Sequence, residues 1–344
     1  MGIRVFASAL VAVAAATAIA ACGGSSDTSD NSTAASGAPT TTKLALVAYS
    51  TPQDAYGAII PAFQKSAAGK GVGFTQSYGP SGDQSRAVDA GQPADVVAFS
   101  LAPDITRLVD DKLVSPAWAN GRYKGMVTDS VAAIVVRKGN PKHIKTWDDL
   151  IKPGIQVLTP NPFTSGGARW NIMAAYGAQL KQGKTPAQAL AYLKTLLTKH
   201  VPVQDSSARN ALNTFLAGKG DALISYENEA IEAQQKGKDV DYVIPDDTIL
   251  IENPVAAIST GKHVKQAQAF VDFLTTPTAQ KAFAAKGYRP VVPAVLKQFH
   301  FPKPSGLFTI ASLGGWPKIM DTFFDPDHGS VAKIEQSAGV STDK

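Results

Sequence analysis

A stretch rich in proline, serine and glycine lies between a short apolar run and a helical pattern. From Thr159 to Asn171 it reads TPNPFTSGGARWN. The prolines end the strand, Ser165 is suited to cap the helix, and Gly166 and Gly167 let a ligand approach the backbone. The first N–H groups of a helix lack partners within it and lie at the positive end of its dipole. The stretch suits an anion site, although a Gly-Gly turn alone is also typical of an ordinary loop.

The same arrangement recurs in three further turns. Ser50 lies in the turn STPQD after the first apolar run, Ser81 lies in GPSGD after the second, and Ala208 lies in DSSARN before another helical pattern. Ligands of open α/β sheets bind beyond the carboxyl ends of the strands. The four turns therefore predict one cleft lined by backbone N–H and hydroxyl donors.

Charged residues near these turns leave two questions about the ligand. Asp83 could accept the proton of monohydrogen phosphate, but we favour a first-turn helix acid that faces solvent or Arg86. A carboxylate facing the ligand would repel a fully deprotonated oxyanion, which has no proton to donate. Arg169 and Arg209 could clamp an oxyanion directly or could form structural salt bridges behind the helix starts.

Short apolar runs alternate with helical patterns from Lys43 onward, which indicates an α/β fold. The continuous apolar runs predict a mostly parallel sheet with helices on both faces. We predict a first part of lobe 1 at 43–128, lobe 2 at 129–255, and a return to lobe 1 with a C-terminal segment at 256–344. The two crossings, near 128–131 and 254–259, would form a hinge.

The composition excludes several classes of function. The chain has 344 residues, 44% hydrophobic residues, 18% charged residues and a formal net charge of +5, without the basic stripe of a nucleic-acid binder. The scattered histidines lack metal-ligand spacing, and neither a Gly-x-Ser-x-Gly elbow nor an ATP-binding phosphate loop is present. We therefore expect no catalytic residues, metal or cofactor.

The N-terminal segment has the pattern of an exported lipoprotein. Arg4 precedes an apolar run at 5–21 that is short for a membrane span and typical of a signal peptide. The only cysteine, Cys22, follows Ile-Ala-Ala in a pattern that resembles a lipobox, although an ordinary cleavage site is the alternative. Residues 22–42 are small and polar and predict a lipidated, flexible tether.

The motifs together resemble the sulfate- and thiosulfate-binding proteins of bacterial ABC importers. The stretch around Gly166, the stretches RKGNPK and WDDLIKPG before it, and the later ENEA carry this resemblance from about 43 to 316. It implies a two-lobed type II periplasmic binding-protein fold that closes on sulfate, and structural salt bridges for the two arginines. The implied ligand groups are the N–H groups of Ser50, Gly166, Gly167 and Ala208, with the N–H and hydroxyl of Ser81.

The chain departs from the resemblance at Tyr226, where the family often has a tryptophan whose indole N–H reaches sulfate. A phenol can donate to the same anion, but it can also accept a proton. Selectivity between oxyanions therefore stays open at this position.

We expect a non-catalytic receptor that captures sulfate and delivers it to an ABC permease from the extracytoplasmic face of the membrane. A lipid anchor and a monomeric state complete this expectation. The alternatives are a receptor for thiosulfate, phosphate or molybdate, and an exported enzyme acting on a phosphorylated or sulfated substrate. A purely adhesive surface lipoprotein would not need the anion-binding turns.

Overall fold

The computed structural model describes residues 41–342, which form the α/β fold that the sequence predicts. The signal peptide, Cys22 and nearly all of the tether lie outside the described residues. The strands are β1 (Thr42–Tyr49), β2 (Val72–Gly79), β3 (Val96–Ala98), β4 (Met126–Arg137), β5 (Val157–Leu158), β6 (Ala222–Tyr226), β7 (Val240–Val243), β8 (Leu250–Ala257) and β9 (Arg289–Pro290). The helices are α1 (Gln53–Gln64), α2 (Ser81–Asp89), α3 (Ala102–Asp110), α4 (Gly166–Lys181), α5 (Pro186–Thr195), α6 (Ala208–Leu216), α7 (Glu227–Gln235), α8 (Val264–Phe273), α9 (Pro277–Ala285), α10 (Pro293–Leu296), α11 (Gly315–Phe324) and α12 (Ser330–Ser337).

The sheet is mixed rather than mostly parallel, so that part of the prediction is wrong. The strand order is β2-β1-β3-β8-β4-β6-β5, and β7 and β9 also pair with β4. Only β1 with β2, β1 with β3, and β5 with β6 pair in parallel, whereas β4 and β8 run antiparallel to their neighbours. A long apolar run indicates a strand that is buried on both faces, as β4 is. Burial does not determine whether the strand runs parallel or antiparallel to its neighbours.

The strands β4 and β8 connect the two halves of the sheet. They pair from Met126 opposite Pro254 to Val131 opposite Leu250. We call the part built on β1, β2 and β3 lobe 1, and the part built on β5, β6, β7 and the second half of β4 lobe 2. The bounds 43–128, 129–255 and 256–344 remain a proposal, and this pairing supports crossings near 128–131 and 254.

Each lobe has its own apolar core. Aromatic side chains from α1 and α8 pack together in lobe 1, where the rings of Phe63 and Phe270 lie 5.1 Å apart. In lobe 2, Trp170 and Tyr176 of α4 contact Trp316 and Phe323 of α11, at 4.7 and 4.8 Å between ring centroids. We therefore propose that α11 and α12, which lie in the expected C-terminal segment of residues 256–344, belong with lobe 2.

Within residues 41–342, no helix combines the length and apolar character that crossing a bilayer requires. Many helices follow strands and begin where those strands end, as α2 follows β2 and α7 follows β6. This order brings the small polar turns of both lobes to the same side of the sheet. It therefore positions the predicted site.

Candidate functional site

The predicted turns converge on a small closed cavity between the lobes. Its volume is about 10 Å³. It is lined by Tyr49, Ser50, Thr51, Pro80, Ser81, Ser100, Ser165, Gly167, Ala208 and Tyr226. Five of the six predicted ligand residues thus line one cavity, and the sixth, Gly166, directly precedes a lining residue.

Three helices begin at this cavity. Helix α2 starts at Ser81, α4 at Gly166 and α6 at Ala208. Their first N–H groups have no acceptor one turn earlier, and the three positive dipole ends meet at one place. The cavity therefore favours an anion without any cationic side chain.

The residues before these helices explain why the helices begin there. Ser207 is extended and its side chain accepts a hydrogen bond from the N–H of Asn210 at 3.1 Å, as a helix cap does. Ser165 occupies the equivalent position before α4, but its side chain makes no capping bond. Ser165 is therefore the N-cap residue that the sequence predicts, but it lacks the side-chain hydrogen bond of a cap, and it lines the cavity.

The Ser81 hydroxyl is already engaged within the protein. It donates to Asp104 Oδ2 at 2.6 Å and accepts from the N–H of Ser100 at 2.9 Å. Asp104 is buried behind the cavity, with 1% of its surface exposed. A hydroxyl has one proton, so Ser81 can offer the ligand its backbone N–H but not its hydroxyl in this arrangement.

Tyr226 ends β6 and is buried at the cavity wall. Its hydroxyl lies 2.6 Å from the Ser100 Oγ of lobe 1, and either oxygen can be the donor. Burial raises the pKa of Tyr226 well above its ordinary value, with nearby Tyr49 adding to the effect. The phenol therefore keeps its proton at neutral pH and can donate it.

No charged side chain lines the cavity among the described residues. Asp83 forms an ion pair with Arg86 and its side chain is 42% exposed, as the favoured alternative predicted. Burial raises the pKa of Asp83 while Arg86 opposes that shift. A ligand in the cavity would therefore meet hydrogen-bond donors and no carboxylate.

The two arginines lie behind the helix starts rather than in the cavity. Arg209 pairs with Glu232 at 3.0 Å and lies 3.7 Å from Glu229, so the implied structural salt bridge is confirmed. Arg169 donates to the carbonyl oxygen of Pro162 at 2.8 Å, and its guanidinium lies 5.4 Å from the centre of the Phe324 ring. Both arginines thus contact other protein groups next to the helix starts rather than the cavity.

Hydrogen bonds across the cleft show that the lobes are closed. The N–H of Gly82 donates to the carbonyl oxygen of Thr164 at 3.0 Å, and Arg209 Nη2 donates to that of Thr51 at 3.1 Å. Trp170 Nε1 donates to the carbonyl oxygen of Ser100 at 2.9 Å. These bonds join lobe 1 turns directly to lobe 2 turns.

The sequence reasoning missed five lining residues: Tyr49, Thr51, Pro80, Ser100 and Ser165. Four of them adjoin a predicted residue or occupy the same turn, so the strand-to-helix signal would have found them. Ser100 is different because it follows β3, whose turn has no Gly-rich or multi-serine pattern. Among residues 41–342, no cluster of three or more His, Cys, Asp or Glu side chains could hold a metal ion.

Comparisons with known proteins show the family to which the chain belongs. The sequence pattern of the family described as bacterial extracellular solute-binding protein matches residues 44–289. A sulfate-binding protein of Synechococcus elongatus is 45% identical over 96% of this chain and 95% of its own length. A thiosulfate-binding protein of Pseudomonas aeruginosa is 35% identical over 82% of this chain and 89% of its own length.

A solved structure shares the fold closely. The sulfate-binding protein SubI from Mycobacterium tuberculosis is 47% identical, with a TM-score of 0.81 over 83% of this chain and all of the other. A periplasmic thiamin-binding protein, at 16% identity and a TM-score of 0.66, shares the fold alone. These neighbours confirm the predicted two-lobed type II periplasmic binding-protein fold.

Proposed function

Because this chain belongs to the bacterial extracellular solute-binding proteins, and among them to the sulfate- and thiosulfate-binding proteins of ABC importers, we propose that it captures sulfate between its lobes. The closed form would then deliver the anion to a membrane permease, as a receptor that performs no chemistry. A ligand that bridges both lobes shifts the population toward the closed form, which a permease can recognise.

The observation that carries the proposal is the cavity lining. Three helix starts and several hydroxyls surround a space that no charged side chain lines among the described residues. Sulfate accepts hydrogen bonds and donates none, so this donor-rich lining matches its chemistry. We propose the N–H groups of Ser50, Ser81, Gly166, Gly167 and Ala208, and the hydroxyl of Tyr226, as the ligand groups.

Calorimetric titration of the purified protein, freed of bound anion, tests this function. Five heavy atoms at about 1.5 kcal/mol each correspond to a Kd of about 1–10 µM, and we expect one site of that strength or somewhat tighter for sulfate. Monohydrogen phosphate in hundredfold excess should not displace sulfate, because its proton finds no carboxylate. Binding of phosphate or molybdate without binding of sulfate would reassign the ligand. Tighter binding of thiosulfate than of sulfate would make thiosulfate the preferred ligand. Silence of all four anions would contradict the receptor function.

We also propose that the chain is anchored as a lipoprotein through Cys22 and works as a monomer. The support for the anchor is the sequence pattern alone, because Cys22 lies outside the described residues. More than one acyl chain is needed for stable attachment, and a lipobox cysteine receives such a set.

Replacing Cys22 by serine should move the protein from the membrane fraction to the soluble extracytoplasmic fraction. Sulfate binding should be unchanged, since the binding site lies within residues 41–342. Fractionation with immunodetection measures the first effect and calorimetry the second. Retention of the serine variant in the membrane would contradict anchoring at this residue.

A further inference from the structure

Ser100 reaches from lobe 1 to the hydroxyl of Tyr226 in lobe 2. The two oxygens lie 2.6 Å apart, and both residues line the cavity. Ser100 is buried, with 1% of its surface exposed, as is Tyr226. Bulk water therefore cannot replace either partner, and each hydroxyl must satisfy its bonds inside the cavity.

The backbone of Ser100 is fixed by three hydrogen bonds. Its N–H donates to Ser81 Oγ at 2.9 Å, and its carbonyl oxygen accepts from Trp170 Nε1 and from Asn253 Nδ2, each at 2.9 Å. These bonds occupy both backbone groups of Ser100. The backbone of Ser100 is therefore held in place, and its side-chain oxygen lies beside the Tyr226 hydroxyl.

The contact matters because a phenol can both donate and accept. If Tyr226 accepted a proton from the ligand, the site would bind monohydrogen phosphate as readily as sulfate. A phenol is a stronger acid than an aliphatic alcohol, so its proton goes to the stronger acceptor, which is the dianion. The serine proton is then directed at the phenol oxygen, and bonds aligned in a chain strengthen one another.

We propose that Ser100 is a specificity-determining residue, whose hydroxyl donates to the Tyr226 oxygen and so leaves Tyr226 as a donor only toward the ligand. This inference rests on the proposed function, since it concerns how the same cavity discriminates between oxyanions. It gives a role to Ser100, which lies outside the four predicted anion-binding turns.

Substitution of Ser100 by alanine tests the proposal by a ratio of affinities. Sulfate and inorganic phosphate are titrated at about pH 8, where phosphate is mainly the monohydrogen dianion. In Ser100→Ala we expect sulfate to bind about tenfold more weakly, because the Ser100 hydroxyl no longer supports the hydrogen bond from Tyr226 to the anion. Phosphate should bind equally well or better, because the Tyr226 oxygen can now accept its proton. The ratio of the two affinities should fall at least tenfold.

Two further variants make the result specific. In a Tyr226→Phe background the serine substitution should no longer change the ratio, because the oxygen on which it acts is gone. Ser312→Ala, at an exposed serine whose hydroxyl donates to the Thr309 carbonyl oxygen, should behave like the unchanged protein. Thermal unfolding of each anion-free variant verifies that it is folded.

The outcomes separate this proposal from the function on which it rests. If the unchanged protein does not bind sulfate, the proposed function fails before any variant is compared. If sulfate binds but Ser100→Ala weakens sulfate and phosphate equally, Ser100 contributes only to closure, and the specificity role is overturned. An unchanged ratio with unchanged affinities would also overturn it, because Tyr226 would then donate to the serine.

Discussion

Replacing Gly166 by alanine is expected to weaken sulfate binding by about 10- to 100-fold while the protein stays folded. A methyl group built on Gly166 would lie 2.3 Å from Leu101 Cδ2 and 2.9 Å from Ser100 Cβ. Leu101 is fully buried, so it has little room to move. Overpacking of this kind costs about 1–3 kcal/mol, which corresponds to the stated range of affinity.

The clash arises only when the lobes approach each other. Gly166 begins α4 in lobe 2, whereas Ser100 and Leu101 follow β3 in lobe 1. The open form can therefore accommodate the methyl group. The steric clash instead lowers the fraction of protein in the closed, binding-competent form. Alanine keeps the backbone N–H, so the loss would be steric rather than the loss of a ligand donor.

Gly57 supplies the matched control. It lies in α1, is exposed, and a methyl group there would have no neighbour within 4 Å. Gly57→Ala should leave sulfate affinity unchanged and raise stability by about 0.5–1 kcal/mol, because alanine favours the helix. Calorimetry and thermal unfolding with and without sulfate measure both effects. Normal affinity in Gly166→Ala would mean that the ligand-bound lobes do not come as close as in this structure.

The local part of the site could be predicted from the sequence. The turns that hold Ser50, Ser81, Gly167 and Ala208 were found because strand ends and helix starts have residue signatures within about five positions, and the family resemblance then implied the individual ligand residues. Helices α2, α4 and α6 begin at or within the turns after which the sequence shows helical patterns. These features depend on short segments, so one sequence contains the information.

Contacts between distant segments could not be predicted in this way. Ser100 and Tyr226 are 126 residues apart, and nothing in either segment specifies the 2.6 Å contact. The hydroxyl of Ser81 looked free in the sequence but donates to Asp104, which is 23 residues away. Strand direction at β4 and β8 also depends on where the chain crosses between lobes, which apolar runs do not encode.

The second large effect is expected at Arg209, whose removal should destabilise the fold by about 3–5 kcal/mol. Its guanidinium pairs with Glu232 at 3.0 Å and lies 3.7 Å from Glu229. Both glutamates are buried, with 2% and 1% of their surfaces exposed. In Arg209→Met these buried carboxylates lose a cationic partner whose side chain is 25% exposed, although Lys236 still contacts Glu232.

The effect should depend on pH in a direction that the pKa of Glu229 determines. Burial raises the pKa of Glu229 above its ordinary value, and Arg209 opposes that shift. A carboxyl whose folded-state pKa is raised binds a proton more tightly when folded, so its contribution to stability is lost as pH rises. Without Arg209 the pKa rises further, and the variant should lose more stability at pH 8 than at pH 5.

Denaturant unfolding of Arg209→Met across this pH range measures the prediction. Lys138→Met is the matched control, because Lys138 is 66% exposed and its ion pair with Asp241 lies at the surface. That variant should unfold at the same denaturant concentration as the unchanged protein. The stability of Arg209→Lys should lie between those of Arg209→Met and the unchanged protein, since lysine keeps the charge but lacks the planar guanidinium that contacts two acceptors.

Sulfate binding by the same variant distinguishes a structural arginine from a ligand-binding one. Arg209 Nη2 donates to the carbonyl oxygen of Thr51 across the cleft, but Arg209 does not line the cavity. Its loss should therefore weaken the closed form as well as the fold, and saturating sulfate should recover part of the stability through preferential binding to the folded state. Full stability with abolished binding would instead make Arg209 a direct contact of the anion. The anion would then be held by a cationic side chain as well as by uncharged donors.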